Sequence, residues 1–169
     1  SKATFVIPAA SEKIKTMIIA MIGNHKFPVS VRLGKMKESL LSSKVSVVTS
    51  GTATLESVTY GAWPVICYKT NFFNYQILSR MIKVDHIGLP NLMRNKRVFP
   101  ELIQKDCNSS SISGAVSSLL ENHSNYEKYY GEILWSMYGI GLRETFEKIL
   151  HDDIEPVSYT HLRAHETSL

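Results

Sequence analysis

The chain has 169 residues, 44% hydrophobic and 20% charged, which is enough apolar material for one sizeable core and too ordinary a composition for wholesale disorder. Its net charge of +4 weakly favours acidic partners but does not select among nucleotide, anionic lipid and nucleic acid. The longest unbroken apolar stretch, Met17 to Ile22, is far too short to cross a bilayer, and Cys67 and Cys107 lack the spacing of a zinc site or a disulfide framework.

A start at Ser1, with no secretory signal, reads as a fragment or trimmed product. The first element is TFVIPA, Thr4 to Ala9, a buried strand. Ser11 then supplies an N-cap for a helix with apolar residues at Ile14, Met17, Ile18, Met21 and Ile22, stopped by Gly23 and Asn24. FPVSVRL (27–33) predicts a second strand and KMKESLLSS (35–43) a short helix. Val45 to Thr49 is the next strand, Thr52 to Tyr60 a helix, and Trp63 to Tyr68 another strand. Asn71 opens a longer helix carrying Phe73, Ile77, Met81 and Val84.

DHIGLPNLMRNKRV (85–98) reads as a loop punctuated by Gly and Pro, and Pro100 to Gln104 as a short helix. Three helical patterns follow: one near Ser111 to Glu121, one opening at the capping box Ser124 and Glu127, and one over Leu142 to Leu150. Strands alternating with helices imply an α/β fold, a Rossmann-like parallel sheet with helices on both faces that ends in C-terminal helices. Residues 157–169 (VSYTHLRAHETSL) show no apolar periodicity and read as a non-native or disordered tail. The domain is therefore assigned to 1–156, and His161 and His165 are set aside.

SGTATLE (50–56) leaves a predicted strand at its carboxyl end, where parallel α/β sheets bind ligands. Gly51 lets a ligand approach the backbone, and the N–H groups of Thr52, Ala53 and Thr54 open a helix whose dipole favours phosphate. Thr52 and Glu56 are four apart and share a helix face. Glu56 would repel a phosphate but could accept hydrogen bonds from sugar hydroxyls. The plainer reading makes Ser50 a helix cap and Glu56 a solvated helix residue. A serine nucleophile finds no support, because the G-x-S-x-G elbow is absent.

SGTATLESVTYGAWPVICYK, followed by IKVDHIGLPNLMRNKRVFPELIQKDCN, resembles the C-terminal half of bacterial lipid-A-disaccharide synthase, a membrane-associated glycosyltransferase of the two-Rossmann-domain (GT-B) type. The likeness is densest from Val48 to Cys107. It implies the donor-binding half of an enzyme that joins UDP-2,3-diacylglucosamine to 2,3-diacylglucosamine 1-phosphate, forming a β-1,6 disaccharide phosphate and UDP. It also implies a cytoplasmic protein, peripheral at the inner membrane, with no cofactor and no metal; no DxD-type acidic cluster is present. On this resemblance Ser50, Gly51, Thr52 and Ala53 line the diphosphate, Glu56 holds the ribose hydroxyls, and Tyr68 and Asn91 complete the donor site. A PGSR segment and an N-terminal domain bearing the general base belong to the family's pattern and are not in this sequence, so the chain is expected to be inactive alone. Lys69 and Arg94-Asn95 depart from the usual residues.

Phe72, Phe73 and Tyr75 suit helix packing better than an acyl-facing patch, and Arg94, Lys96 and Arg97 suit a solvated loop better than a phosphate site. His25, His86, His123 and His151 have no metal-ligand spacing, no base is signalled for a catalytic cysteine, and no aromatic interleaving supports nucleic-acid binding. A homodimer stays open. The rival readings are another UDP-GlcNAc-using GT-B enzyme, of the 2-epimerase or lipid II glycosyltransferase type, and a non-catalytic nucleotide-binding α/β module.

Overall fold

The computed structural model describes residues 3–24, 26–70 and 86–139. The helix expected from Asn71, the one over Leu142 to Leu150, the aromatic group Phe72, Phe73 and Tyr75, and the 157–169 tail lie outside the described residues.

Two parallel sheets carry the fold. Strand β1 (Phe5–Ala9) leads through helix α1 (Glu12–Ile22) to β2 (Val29–Leu33), and the strands pair from Phe5 opposite Val29 to Ala9 opposite Leu33. Ser11 caps α1, its hydroxyl accepting the Ile14 N–H at 3.3 Å. At the other end the Gly23 N–H donates to the Ile19 carbonyl at 3.0 Å. Helix α2 (Met36–Leu41) connects to β3 (Val45–Thr49), followed by α3 (Thr52–Thr59) and β4 (Trp63–Tyr68). Helix α4 (Leu89–Arg94), strand β5 (Glu101–Ile103), a 3-10 turn (Gln104–Asp106), α5 (Ser109–Glu121) and α6 (His123–Gly139) complete the order. The second sheet runs β3-β4-β5, and no hydrogen bonds join β1 to β3.

Strand β4 lies between β3 and β5 and is buried from Trp63 to Cys67, as a near-continuous apolar run in a parallel sheet should be. Around it collect Leu55 and Val58 of α3, Phe99 of the segment before β5, and Leu119 of α5. Trp63 stacks on Phe99 at 5.9 Å between ring centroids and Phe99 on Tyr126 at 5.7 Å, while Tyr130 meets Trp63 edge-on at 6.0 Å. The Tyr130 hydroxyl donates to the Thr59 carbonyl at 2.7 Å and ties α6 to the end of α3.

Four expectations change. Pro100 to Gln104 is not a helix: Glu101–Ile103 is extended and completes the open edge of β4, with the Ile66 N–H donating to the Pro100 carbonyl. The 85–98 loop contains α4, held by tertiary bonds described below. Helix α6 starts at His123 directly after Asn122 closes α5, so Ser124 lies inside the helix and not at its cap. Strand β1 was expected to be buried, but only Ala9 of it is.

Candidate functional site

Strand β3 ends at Thr49 and the chain turns through Ser50 and Gly51 into α3. Gly51 has φ +140°, a backbone state that L side chains rarely adopt, and a Cβ there would meet nothing within 4 Å. The glycine is thus required by conformation, and the space before its backbone is open. No side chain caps α3. The Ser50 hydroxyl instead donates to the Ile87 carbonyl at 2.6 Å, and the Ser50 N–H to the Cys67 carbonyl at 3.2 Å. The Gly51 carbonyl accepts from the Thr54 N–H and hydroxyl at 3.1 and 2.6 Å. Thr52 is exposed at the helix entrance, where the positive end of the dipole lies.

Ala53 faces the core, whereas Glu56, one turn beyond Thr52 on the same face, is half-buried. Its carboxylate has no hydrogen-bond or ion-pair partner among the described residues, and burial pushes its carboxyl pKa above the ordinary value. Tyr68 stands half-buried at the carboxyl end of the neighbouring strand, opposite Ile103. The turn and Tyr68 therefore lie at the carboxyl ends of adjacent strands of the second sheet, with Glu56 one helical turn into α3.

Asn91 sits behind this edge at 0% exposure, and its amide is fully used. Its Nδ2 donates to the Phe99 carbonyl and to Glu101 Oε1, and its Oδ1 accepts the N–H groups of Val98 and Phe99, all at 2.8 Å. Asn91 is part of the frame of the site and presents no free donor to a ligand. Glu101, also buried, accepts from the Gly88 N–H at 2.9 Å and the Ile87 N–H at 3.2 Å. It thereby fixes the loop whose carbonyl receives Ser50. A Cβ on Gly88 would lie 2.2 Å from Ile66 Cδ1, so a larger residue there would force the Ile66 side chain to move. Gln104 holds the exit of β4: its amide donates to the Thr70 carbonyl at 3.0 Å and accepts the Thr70 N–H at 2.8 Å.

Sequence reasoning did not single out Glu101 and Gln104. The signal was a carboxylate set in the apolar context VFPELI, where an unpaired charge would be costly.

The other candidates have structural partners. Arg94 pairs with Glu132, and Arg97 donates to the Glu101 carbonyl at 2.6 Å. Burial first, and the Cys107 thiol second, push the Cys67 thiol up to about 11, which makes it a poor nucleophile. Among the described residues no cluster of three His, Cys, Asp or Glu side chains could hold a metal ion, and no helix is long and apolar enough to cross a membrane.

Comparison with known proteins places this geometry in a family. The family model described as lipid-A-disaccharide synthetase matches residues 1–134. The lipid-A-disaccharide synthase of Pseudomonas aeruginosa is 32% identical over 130 residues, covering 76% of this chain and 34% of the relative. That of Pseudomonas fluorescens is 30% identical over 129 residues, with the same coverage. The chain thus spans about a third of the length of the curated relatives it matches. With the SGTATLE turn and the GLPNLM helix both inside the matched segment, the chain belongs to the lipid-A-disaccharide synthetase family.

Proposed function

We propose that these residues form the donor-binding half of a glycosyltransferase that joins UDP-2,3-diacylglucosamine to 2,3-diacylglucosamine 1-phosphate. The observation that carries this reading is the start of α3 at Ser50-Gly51-Thr52, without a side-chain cap, and one turn further on a half-buried carboxylate that has no partner among the described residues. In the reaction the acceptor's primary hydroxyl oxygen bonds to C1 of the donor sugar, the C1–O bond to the diphosphate breaks, and the hydroxyl proton passes to a base. That base comes from polypeptide outside this chain.

The chain's own part is to bind the donor and to favour the departure of UDP. The N–H groups at the head of α3 and the Thr52 hydroxyl receive the diphosphate, whose negative charge increases as the bond breaks. Glu56 accepts hydrogen bonds from the ribose hydroxyls, and Tyr68 borders the donor. Asn91 acts from the second layer by holding Glu101 and, through it, the 86–88 loop that anchors Ser50. Substrates with acyl chains would put the work at a membrane surface, in keeping with a protein peripheral at the inner membrane.

Ligand-observed NMR on the 169-residue chain, comparing UDP with ADP, tests the reading. Selective UDP contact is expected, and Glu56→Gln should weaken it by about 1–3 kcal/mol, the loss of a charged hydrogen-bond acceptor. Equal affinities for the two nucleotides, or an unchanged affinity in the variant, would remove the uridine-nucleotide site from this turn.

A further inference from the structure

We propose that Cys67 and Cys107 form a reversible thiol–disulfide site, in which peroxide oxidises Cys107 and closure onto Cys67 braces the segment after β5 against β4. These are the only two cysteines of the chain, and their spacing in sequence predicts no bond. The topology brings them together. Cys67 lies in the buried run of β4, opposite Leu102 of β5. The 3-10 turn after β5, entered with Gln104 at φ +51°, folds the chain back. Cys107 closes that turn, its N–H donating to the Gln104 carbonyl at 3.1 Å, and its side chain packs against the core cluster that contains Cys67. The two thiols are hydrogen-bonded to each other.

Their surroundings give them different parts. Cys107 is half-buried and within reach of a small oxidant, whereas Cys67 is 8% exposed and is approached through its partner. With hydrogen peroxide as the oxidant, the Cys107 thiolate attacks one peroxide oxygen. An S–O bond forms, the O–O bond breaks, and the departing hydroxide is protonated to water. The Cys67 sulfur then bonds to the sulfenic sulfur, the S–O bond breaks, and the hydroxyl leaves with the Cys67 proton as a second water. The two sulfurs together lose two electrons, peroxide gains them, and a dithiol reductant restores both thiols.

The bond holds the frame behind the Ser50 turn. Glu101 of β5 accepts the Ile87 and Gly88 N–H groups, and Gln104 accepts the Thr70 N–H. Strand β5 is three residues long and pairs, among the described residues, with β4 alone, so its local opening frees all three amides together. A link from Cys107 to β4, a strand paired on both edges, opposes that opening. The Cys67 carbonyl accepts the Ser50 N–H at 3.2 Å, so the brace is anchored at the strand position that the turn itself uses. The site does not depend on which ligand the turn binds.

The test treats the reduced 169-residue chain with hydrogen peroxide under native conditions and maps its cysteines by peptide mass spectrometry after alkylation in denaturant. The expected product is a monomer with a Cys67–Cys107 disulfide, closed to alkylation until dithiothreitol is added. Amide exchange at Thr70, Ile87 and Gly88 should slow about tenfold in the oxidised form, with β1 unchanged. Cys67→Ala should stop the reaction at a Cys107 sulfenic acid that dimedone captures, and Cys107→Ser should leave Cys67 reduced. Four results would overturn the proposal: Cys107 passing to sulfinic acid while Cys67 still alkylates, a disulfide only between two chains, a disulfide that forms only in denaturant, or unchanged exchange at the three amides of the oxidised monomer.

Discussion

The segments β1–α1–β2 and β3–α3–β4 are both parallel βαβ units of nearly equal strand length, yet their helices and second strands differ sharply in burial. In the second, β4 is covered on both edges and α3 buries six of its eight residues. In the first, α1 has the better apolar periodicity but buries nothing, and Met21 is 82% exposed. A helical pattern therefore specifies a face and not a partner. What separates the two units is the neighbours: α5, α6 and β5 close around β4, whereas among the described residues α1 packs chiefly on its own two strands.

The largest test of this contrast is Trp63→Ala. It empties the centre of the stack with Phe99, Tyr126 and Tyr130 and should cost about 3–5 kcal/mol in a denaturant titration. Asn91→Ala comes next: it strips partners from the Val98 and Phe99 N–H groups and from Glu101, and a loss of about 3 kcal/mol is expected. A smaller effect is expected from Glu56. Because its folded-state pKa is raised, the folded chain binds this proton more tightly than the unfolded chain does. Stability therefore falls as pH rises through that pKa, and Glu56→Gln should flatten that part of the stability–pH curve. On the proposed reading, uridine-nucleotide affinity should show the opposite slope, falling on acidification, because the carboxylate would be the form that accepts ribose hydroxyls. The smallest effect belongs to Met21→Ala, expected below about 0.5 kcal/mol. A loss well above 1 kcal/mol there would mean that α1 is covered, and the contrast between the two units would fail.

What could be read in advance divides along the same physical line. Strands β3 and β4 begin and end where their apolar runs do, at Val45, Thr49, Trp63 and Tyr68, because an apolar, β-branched run bounded by turn residues is encoded locally. The SGT turn was legible for the same reason: Gly51 needs its positive φ whatever surrounds it. The role of Asn91 was not legible. Whether it faces a ligand or holds Val98, Phe99 and Glu101 depends on residues seven to ten positions away folding back onto it. Helix α4 and the three-residue β5 are too short to show a period, and each is defined by what it bonds to.

The bonds that set the Ser50 turn have a consequence for the order of folding. Ser50 reaches Ile87 across 37 positions, Gln104 reaches Thr70 across 34, and Glu101 closes the 86–88 loop only after β5 has joined β4. Contacts of such sequence separation carry a loop-closure cost and form late. A nascent chain that has emerged only to Pro100 can hold α3 and β4 but not the carboxylate that fixes the turn. The proposed nucleotide site would therefore be among the last features to mature, and a folding intermediate with a native-like β3–β4 pair should still be blind to UDP.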